Sequence, residues 1–162
     1  MEGKTNAMRI LEEAGALLSV RDTGGVFEDS ASAADILGIP REALFKTLVT
    51  RGKSGGYYVF MVPSEEELDL KKGAAVFGEK YIEMIPQKDL LKLTGYIHGG
   101  CSPVGMKKEF PTVIDETSIL FDRIFFSAGR VGCIAEVLRE RFTDAFGITV
   151  ADVADLADRN AK

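Results

Sequence analysis

The run from Gly95 to Lys108, GYIHGGCSPVGMKK, places the only histidine, His98, three residues before one of two cysteines, Cys101. An imidazole beside a thiol could deprotonate it for attack on an ester or amide carbonyl. In a strand or an open loop, however, positions three apart usually point to different sides, and nothing in the run supplies a third group to orient the imidazole. Catalytic Cys and His pairs are brought together by the fold, so adjacency in sequence is no support for one here. The glycines suggest other chemistry. Gly99, Gly100 and Gly105, around Ser102 and Pro103, let the main chain approach a ligand closely and present N–H donors in a concave turn. Such donors suit a carbonyl oxygen on which negative charge develops during acyl transfer, although a plain connecting loop has the same composition.

Lys46 is the next residue able to act. From Ala43 to Thr50 the alternation puts Leu44, Lys46 and Leu48 on one side of a strand and Phe45, Thr47 and Val49 on the other. An ammonium between leucines either meets water or, if that face lines a cleft, holds a carbonyl, a carboxyl or a terminal phosphate as a point charge. The stretch Ser127 to Gly132, SAGRVG, lacks the GxGxxG order of a dinucleotide site and is expected to be a turn that can wall the same cleft.

These residues need elements to position them. Thr5 to Ala14 has Met8, Leu11 and Ala14 at helical spacing with Gly15 after it, and Ser32 to Leu37 forms a second short helix stopped by Gly38 and Pro40. Ala43 to Thr50 and Tyr57 to Val62 form a hairpin across a Gly-rich turn. Helices are expected over Leu68 to Phe77, Gln87 to Thr94 and Arg139 to Phe146, each ended by a glycine. Further strands are expected at Tyr81 to Ile85, Val113 to Asp115, Arg123 to Ser127 and Cys133 to Val137, and a last turn at Val150 to Leu156. Several strands are adjacent in sequence, so a mixed-sheet α+β fold fits better than a doubly wound sheet.

With 162 residues, 46% of them hydrophobic, the chain has enough apolar material for one domain with one core. No apolar run reaches eighteen residues, and charged residues interrupt the first sixteen, so a cytoplasmic protein without membrane contact is expected. Two cysteines without CxxC spacing and one histidine supply neither a disulfide framework nor a zinc site, so neither metal nor cofactor is expected. A net charge of −5 argues against DNA or indiscriminate nucleic-acid binding. The middle of the chain is different: Lys71 to Lys108 holds seven lysines and three acids, while Glu109 to Lys162 holds ten acids and six bases. Such a segment can touch a few phosphates; scattered lysines on solvated helix faces would give the same count.

Taken jointly, the fragments resemble the YbaK family, free-standing relatives of the editing domain of prolyl-tRNA synthetases. The resemblance runs from the KTNAMRIL opening to the last helix. It rests on Phe45-Lys46-Thr47-Leu48, on Leu68-Asp69-Leu70-Lys71-Lys72, on Thr94-Gly95-Tyr96 leading into Gly99 to Gly105, on Lys107-Lys108 and on Ser127-Ala128-Gly129. It implies an α+β fold with a barrel-like mixed sheet of about six or more strands and flanking helices. It also implies an aminoacyl-tRNA deacylase that removes cysteine mischarged onto proline tRNA, with prolyl-tRNA synthetase as a partner.

Lys46 matches the family's functionally important lysine and Gly99 to Pro103 its Gly-x-x-x-Pro loop. Family members of the cysteine-editing type are thought to let the substrate thiol attack its own ester, releasing a thiolactone. On that scheme Lys46 anchors the aminoacyl-adenosine end by its phosphate or its carbonyl, and the backbone N–H groups of Gly100 and Cys101 face the oxyanion. Phe45, Thr47, Gly99, Ser102, Pro103, Gly105, Ser127 and Gly129 complete the substrate site, and Lys71, Lys72, Lys107 and Lys108 meet the acceptor end of the tRNA. Two other readings stay open on the residues alone: a deacylase for another ester such as Ala-tRNA(Pro) using activated water, and a non-catalytic module binding charged tRNA or a synthetase.

Overall fold

A computed structural model describes residues 3–24 and 30–156. The first helix, α1 (Asn6–Glu13), starts where Thr5 turns its hydroxyl back to accept the Met8 N–H at 3.1 Å, a cap worth about 1 kcal/mol. It buries Ala7, Met8 and Leu11. Strand β1 (Leu17–Asp22) follows, then α2 (Ser30–Leu37), β2 (Phe45–Gly52) and β3 (Tyr57–Pro63). The expected hairpin forms, with antiparallel register from Phe45↔Pro63 to Arg51↔Tyr57.

A two-residue strand, β4 (Glu67–Leu68), precedes α3 (Leu70–Val76), whose N-cap is Asp69, its carboxylate accepting the Lys71 and Lys72 N–H groups. After β5 (Ile82–Met84), the helix expected from Gln87 to Thr94 divides into a 3-10 turn and the short α4 (Leu90–Thr94). The chain continues through β6 (Thr112–Asp115), β7 (Arg123–Ser127), β8 (Cys133–Leu138) and α5 (Arg139–Phe146). Where a last turn is expected, two short strands form, β9 (Thr149–Ala151) and β10 (Ala154–Asp155). Buried Asp115 holds this segment, one carboxylate oxygen accepting the N–H groups of Val153 and Ala154 at 2.9 and 2.8 Å.

The strands do not make the barrel-like mixed sheet of about six or more members that the resemblance implies. Among the described residues they fall into a five-stranded mixed sheet, order β5-β2-β3-β6-β9, a three-stranded antiparallel sheet, order β1-β8-β7, and the pair β10-β4. The two larger sheets meet at a lone parallel bridge, Leu44↔Phe125. The sheets do not close because β2 and β7 share no ladder beyond that bridge. One core packs α1 and α5 on the three-stranded sheet, with the Phe126 and Phe142 rings 4.8 Å apart. Another packs α3 on the five-stranded sheet around Phe60, Val62 and Ile82. No helix among the described residues is long and apolar enough to cross a membrane.

Candidate active site

The gap between the sheets is the site. Gly52 N–H donates to the Gly56 carbonyl and Ser64 N–H to the Leu44 carbonyl, each at 2.8 Å. These bonds fix the phase of the ladder: even-numbered residues of β2 turn their backbone groups toward β3, odd-numbered ones away from it. Val49 spends its outer carbonyl on the Ile85 N–H at 3.2 Å, and β5 pairs only with Thr50 to Gly52. The outer backbone groups of Thr47 therefore have no strand beside them. A cleft of about 440 Å³ opens along this edge, and Phe45, Lys46, Thr47, Gly99, Cys101 and Ser127 of the expected site all line it.

Lys46 carries the cleft's charge. Its ammonium lies 3.7 Å from the Glu67 carboxylate, with the lysine side chain 24% and the glutamate 84% exposed. A pair this long, with one partner in water, holds the ammonium only weakly. Two hydroxyls on the cleft wall, Thr47 Oγ1 and Ser64 Oγ, are buried without a hydrogen-bond partner among the described residues. A buried hydroxyl without a partner costs about 1 to 3 kcal/mol, so both are poised to receive one from a ligand. Ser64 escaped the sequence reading, as did the apolar wall residues Leu90 and Ile134, whereas Val131 belongs to the turn expected to wall the cleft.

The glycine-rich loop is shaped by Tyr96. Its hydroxyl donates to the Val104 carbonyl at 2.6 Å, and burial pushes the phenol up to about 12, so it remains a donor. Gly105, at φ +79°, leaves room for that hydroxyl: a Cβ there would stand 2.7 Å from it. Gly129 meets the same ring and α1, and Ser102, Pro103, Gly105 and Gly129 do not line the cleft. These four shape the loop rather than the cleft wall. Gly100 is engaged within the loop. Its N–H donates to the Ile97 carbonyl at 2.9 Å and is not free for an oxyanion. A Cβ on Gly100 would stand 3.1 Å from the Val131 nitrogen, so its absence lets this loop and the Ser127 to Gly132 turn abut. The Cys101 N–H, by contrast, meets no acceptor among the described residues.

Cys101 is no nucleophile in this setting. It is buried against Val49 and Val59, with Leu93, Tyr96 and Met106 packed around it, whereas His98 is exposed. Burial pushes the Cys101 thiol up to about 12, and its contact with Thr94 only partly offsets this. Burial thus disfavours the thiolate, the form that reacts. At about pH 8 iodoacetamide is expected to alkylate Cys101 at least about tenfold more slowly in the folded protein than in urea, as followed by mass spectrometry. Equal rates would mean an accessible, ionised thiol.

A sequence model of the aminoacyl-tRNA editing domain matches residues 27–144. The chain belongs to the aminoacyl-tRNA editing domain family. Editing removes the aminoacyl group from its tRNA, so this editing domain is an aminoacyl-tRNA deacylase. Over 140 residues it is 45% identical to an Enterococcus faecalis protein, EbsC, assigned as a Cys-tRNA(Pro)/Cys-tRNA(Cys) deacylase, with 85% of each chain covered. It is 34% identical over 74 residues to a proline–tRNA ligase of Fervidobacterium nodosum, covering 46% of this chain and 13% of the ligase. Among solved structures, one described as a trans-editing enzyme for prolyl-tRNA synthetase superposes with a TM-score of 0.82 at 24% identity, covering 95% of this chain and 99% of that one. That likeness is one of fold.

The lysines expected at the acceptor end of the tRNA are not equivalent in this editing domain. Lys71, Lys107 and Lys108 are exposed. Lys72 is engaged, its ammonium donating to Asp152 at 2.9 Å and to the Ala154 carbonyl at 3.3 Å. It fastens the C-terminal strand pair to α3.

Proposed function

We propose that the protein edits in trans, clearing cysteine from mischarged Cys-tRNA(Pro) by letting the substrate's own thiol attack its ester. The observation carrying this reading is a cleft that combines an ammonium and unpaired donors with a cysteine kept neutral: Lys46, Thr47 and the Cys101 N–H are available, and the Cys101 thiol is not. Such a cleft is suited to holding an ester, not to attacking it. The 45% identity to a protein assigned as a Cys-tRNA(Pro)/Cys-tRNA(Cys) deacylase supports cysteine as the group removed.

In the proposed step the substrate sulfur bonds to its own carbonyl carbon, the carbonyl oxygen becomes an oxyanion, and the Cys101 N–H donates to it. The carbon–oxygen bond to the ribose then breaks, the thiol proton passing by way of solvent to the leaving ribose oxygen. Cysteine thiolactone and tRNA with a free ribose hydroxyl result. Holding sulfur and carbonyl at reacting distance supplies several kcal/mol of the acceleration. With a net charge of −5 and a few exposed lysines, the chain has little means of discriminating tRNA bodies alone. Docking on prolyl-tRNA synthetase would supply that selectivity.

The test is ester loss from radiolabelled Cys-tRNA(Pro), with Pro-tRNA(Pro) and Ala-tRNA(Pro) as comparisons. Cysteine should be released and proline retained. Preferential loss of alanine would move the substrate to the other small amino acid, and tight binding without turnover would overturn the reaction altogether.

A further inference from the structure

Ser64 is a cleft residue whose buried hydroxyl has no partner among the described residues and no role in the proposed reaction. Its N–H bond to the Leu44 carbonyl extends the β2–β3 ladder one pair past Phe45↔Pro63. Ser64 therefore stands opposite Leu44, and Lys46 stands opposite Val62. Side chains alternate across a sheet, so Leu44, Lys46, Val62 and Ser64 share a face, and Ser64 and Lys46 are diagonal neighbours. Diagonal positions lie about 7 to 8 Å apart, within reach of a long side chain. The ammonium and the hydroxyl can thus converge on one ligand group.

The nature of that group follows from what the two donors lack. Ser64 Oγ is buried with no partner among the described residues, while Ala33, Leu44 and Ile134 on the same cleft wall offer it no acceptor side chain. Lys46 has only the exposed Glu67 carboxylate, 3.7 Å away. A ribose hydroxyl would satisfy the serine but bring the ammonium no charge beyond its long pair with Glu67. A phosphate satisfies both, its oxygens accepting from a point charge and from a neutral hydroxyl at once.

We propose that Ser64 is a phosphate-binding residue that, with Lys46, holds the phosphate of the substrate's terminal nucleotide. The proposal deepens the aminoacyl-tRNA reading and rests on it for the identity of the ligand. It assigns Lys46 to the phosphate, leaving the ester carbonyl to the backbone of the glycine-rich loop.

The experiment titrates adenosine 5′-monophosphate and adenosine into the full-length protein and reads binding by heteronuclear NMR. Wild type should bind the monophosphate at least about tenfold more tightly than adenosine. Ser64→Ala should lose about tenfold in affinity for the monophosphate, as befits one hydrogen bond to a charged acceptor, and keep its adenosine affinity within about twofold. Ser64→Thr, which restores the hydroxyl, should recover the preference. An equal loss for both ligands, no loss for either, or a wild type indifferent to the phosphate would each overturn the proposal. Binding is read without turnover, so these outcomes are separate from release of cysteine from Cys-tRNA(Pro). Normal release with no phosphate preference overturns the phosphate site alone.

Discussion

Lys46→Ala is expected to lower kcat/KM for Cys-tRNA(Pro) by about 10²- to 10³-fold, the scale of removing one well-placed electrostatic contact from a reacting site. The ammonium is the cationic group on the cleft wall among the described residues, and its side chain is 24% exposed, so substrate rather than bulk water can complete its surroundings. The same substitution should hardly change stability. The 3.7 Å pair with the highly exposed Glu67 belongs to the class of surface ion pairs worth about 0 to 1 kcal/mol. For a chain of this size that is a shift in Tm of no more than about 2 to 4 °C. Kinetics and a thermal melt on the same preparation check both halves. A variant that keeps activity within about fivefold would show that Lys46 does not hold the substrate.

The elements that frame Lys46 were legible because each carries a local signal. The alternation from Leu44 to Val49 gave β2, the Gly-rich turn gave its hairpin with β3, and Gly78 and Gly147 ended the helices that became α3 and α5. Strand β1 was not legible, because its alternation runs opposite to the usual one. Leu18 and Val20 are exposed, whereas Ser19 and Arg21 turn inward to the buried carboxylate of Glu136 at 2.7 and 3.3 Å. Hydrogen bonds from Ser19, then the charge of Arg21, hold that carboxyl below its usual range against the pull of burial. A strand whose inner face serves a carboxylate more than a hundred residues away carries its apolar residues on the outer face, so its period points the wrong way.

The site divides the same way. Lys46 and the glycine-rich loop are continuous stretches that a motif can point to, and both border the cleft. The motif could not separate glycines on the cleft wall, such as Gly99, from Gly105 and Gly129, which pack against Tyr96. Ser64, Leu90 and Ile134 come from three distant segments and meet at the cleft between two sheets joined, among the described residues, only at Leu44↔Phe125. That arrangement is a long-range property of strand pairing. The alternation of Val62 and Ser64 on the lysine's face was the available hint.

Ser-tRNA(Pro) should be cleaved at least about 10³-fold more slowly than Cys-tRNA(Pro), and cysteine thiolactone should accumulate transiently when the reaction is quenched and resolved by mass spectrometry. Binding alone cannot generate a ratio of that size. A pocket discriminates groups differing by one methylene, or by an added hydroxyl, by about 10- to 200-fold, and sulfur and oxygen differ less in shape than that. A chemical difference can generate it: a thiol supplies a few per cent of its reactive anion at neutral pH, an alcohol essentially none, and intramolecular attack multiplies whatever nucleophile is present by the same effective concentration. Were the protein to supply the nucleophile, the cysteine and serine esters would fall at rates within the range set by binding. Cys101 cannot do so while burial holds its thiol at about 12, so Cys101→Ala should retain the selectivity for cysteine. Comparable rates for the two esters, with no thiolactone, would mean that an activated water or a protein group attacks, and the substrate-thiol step would have to be abandoned.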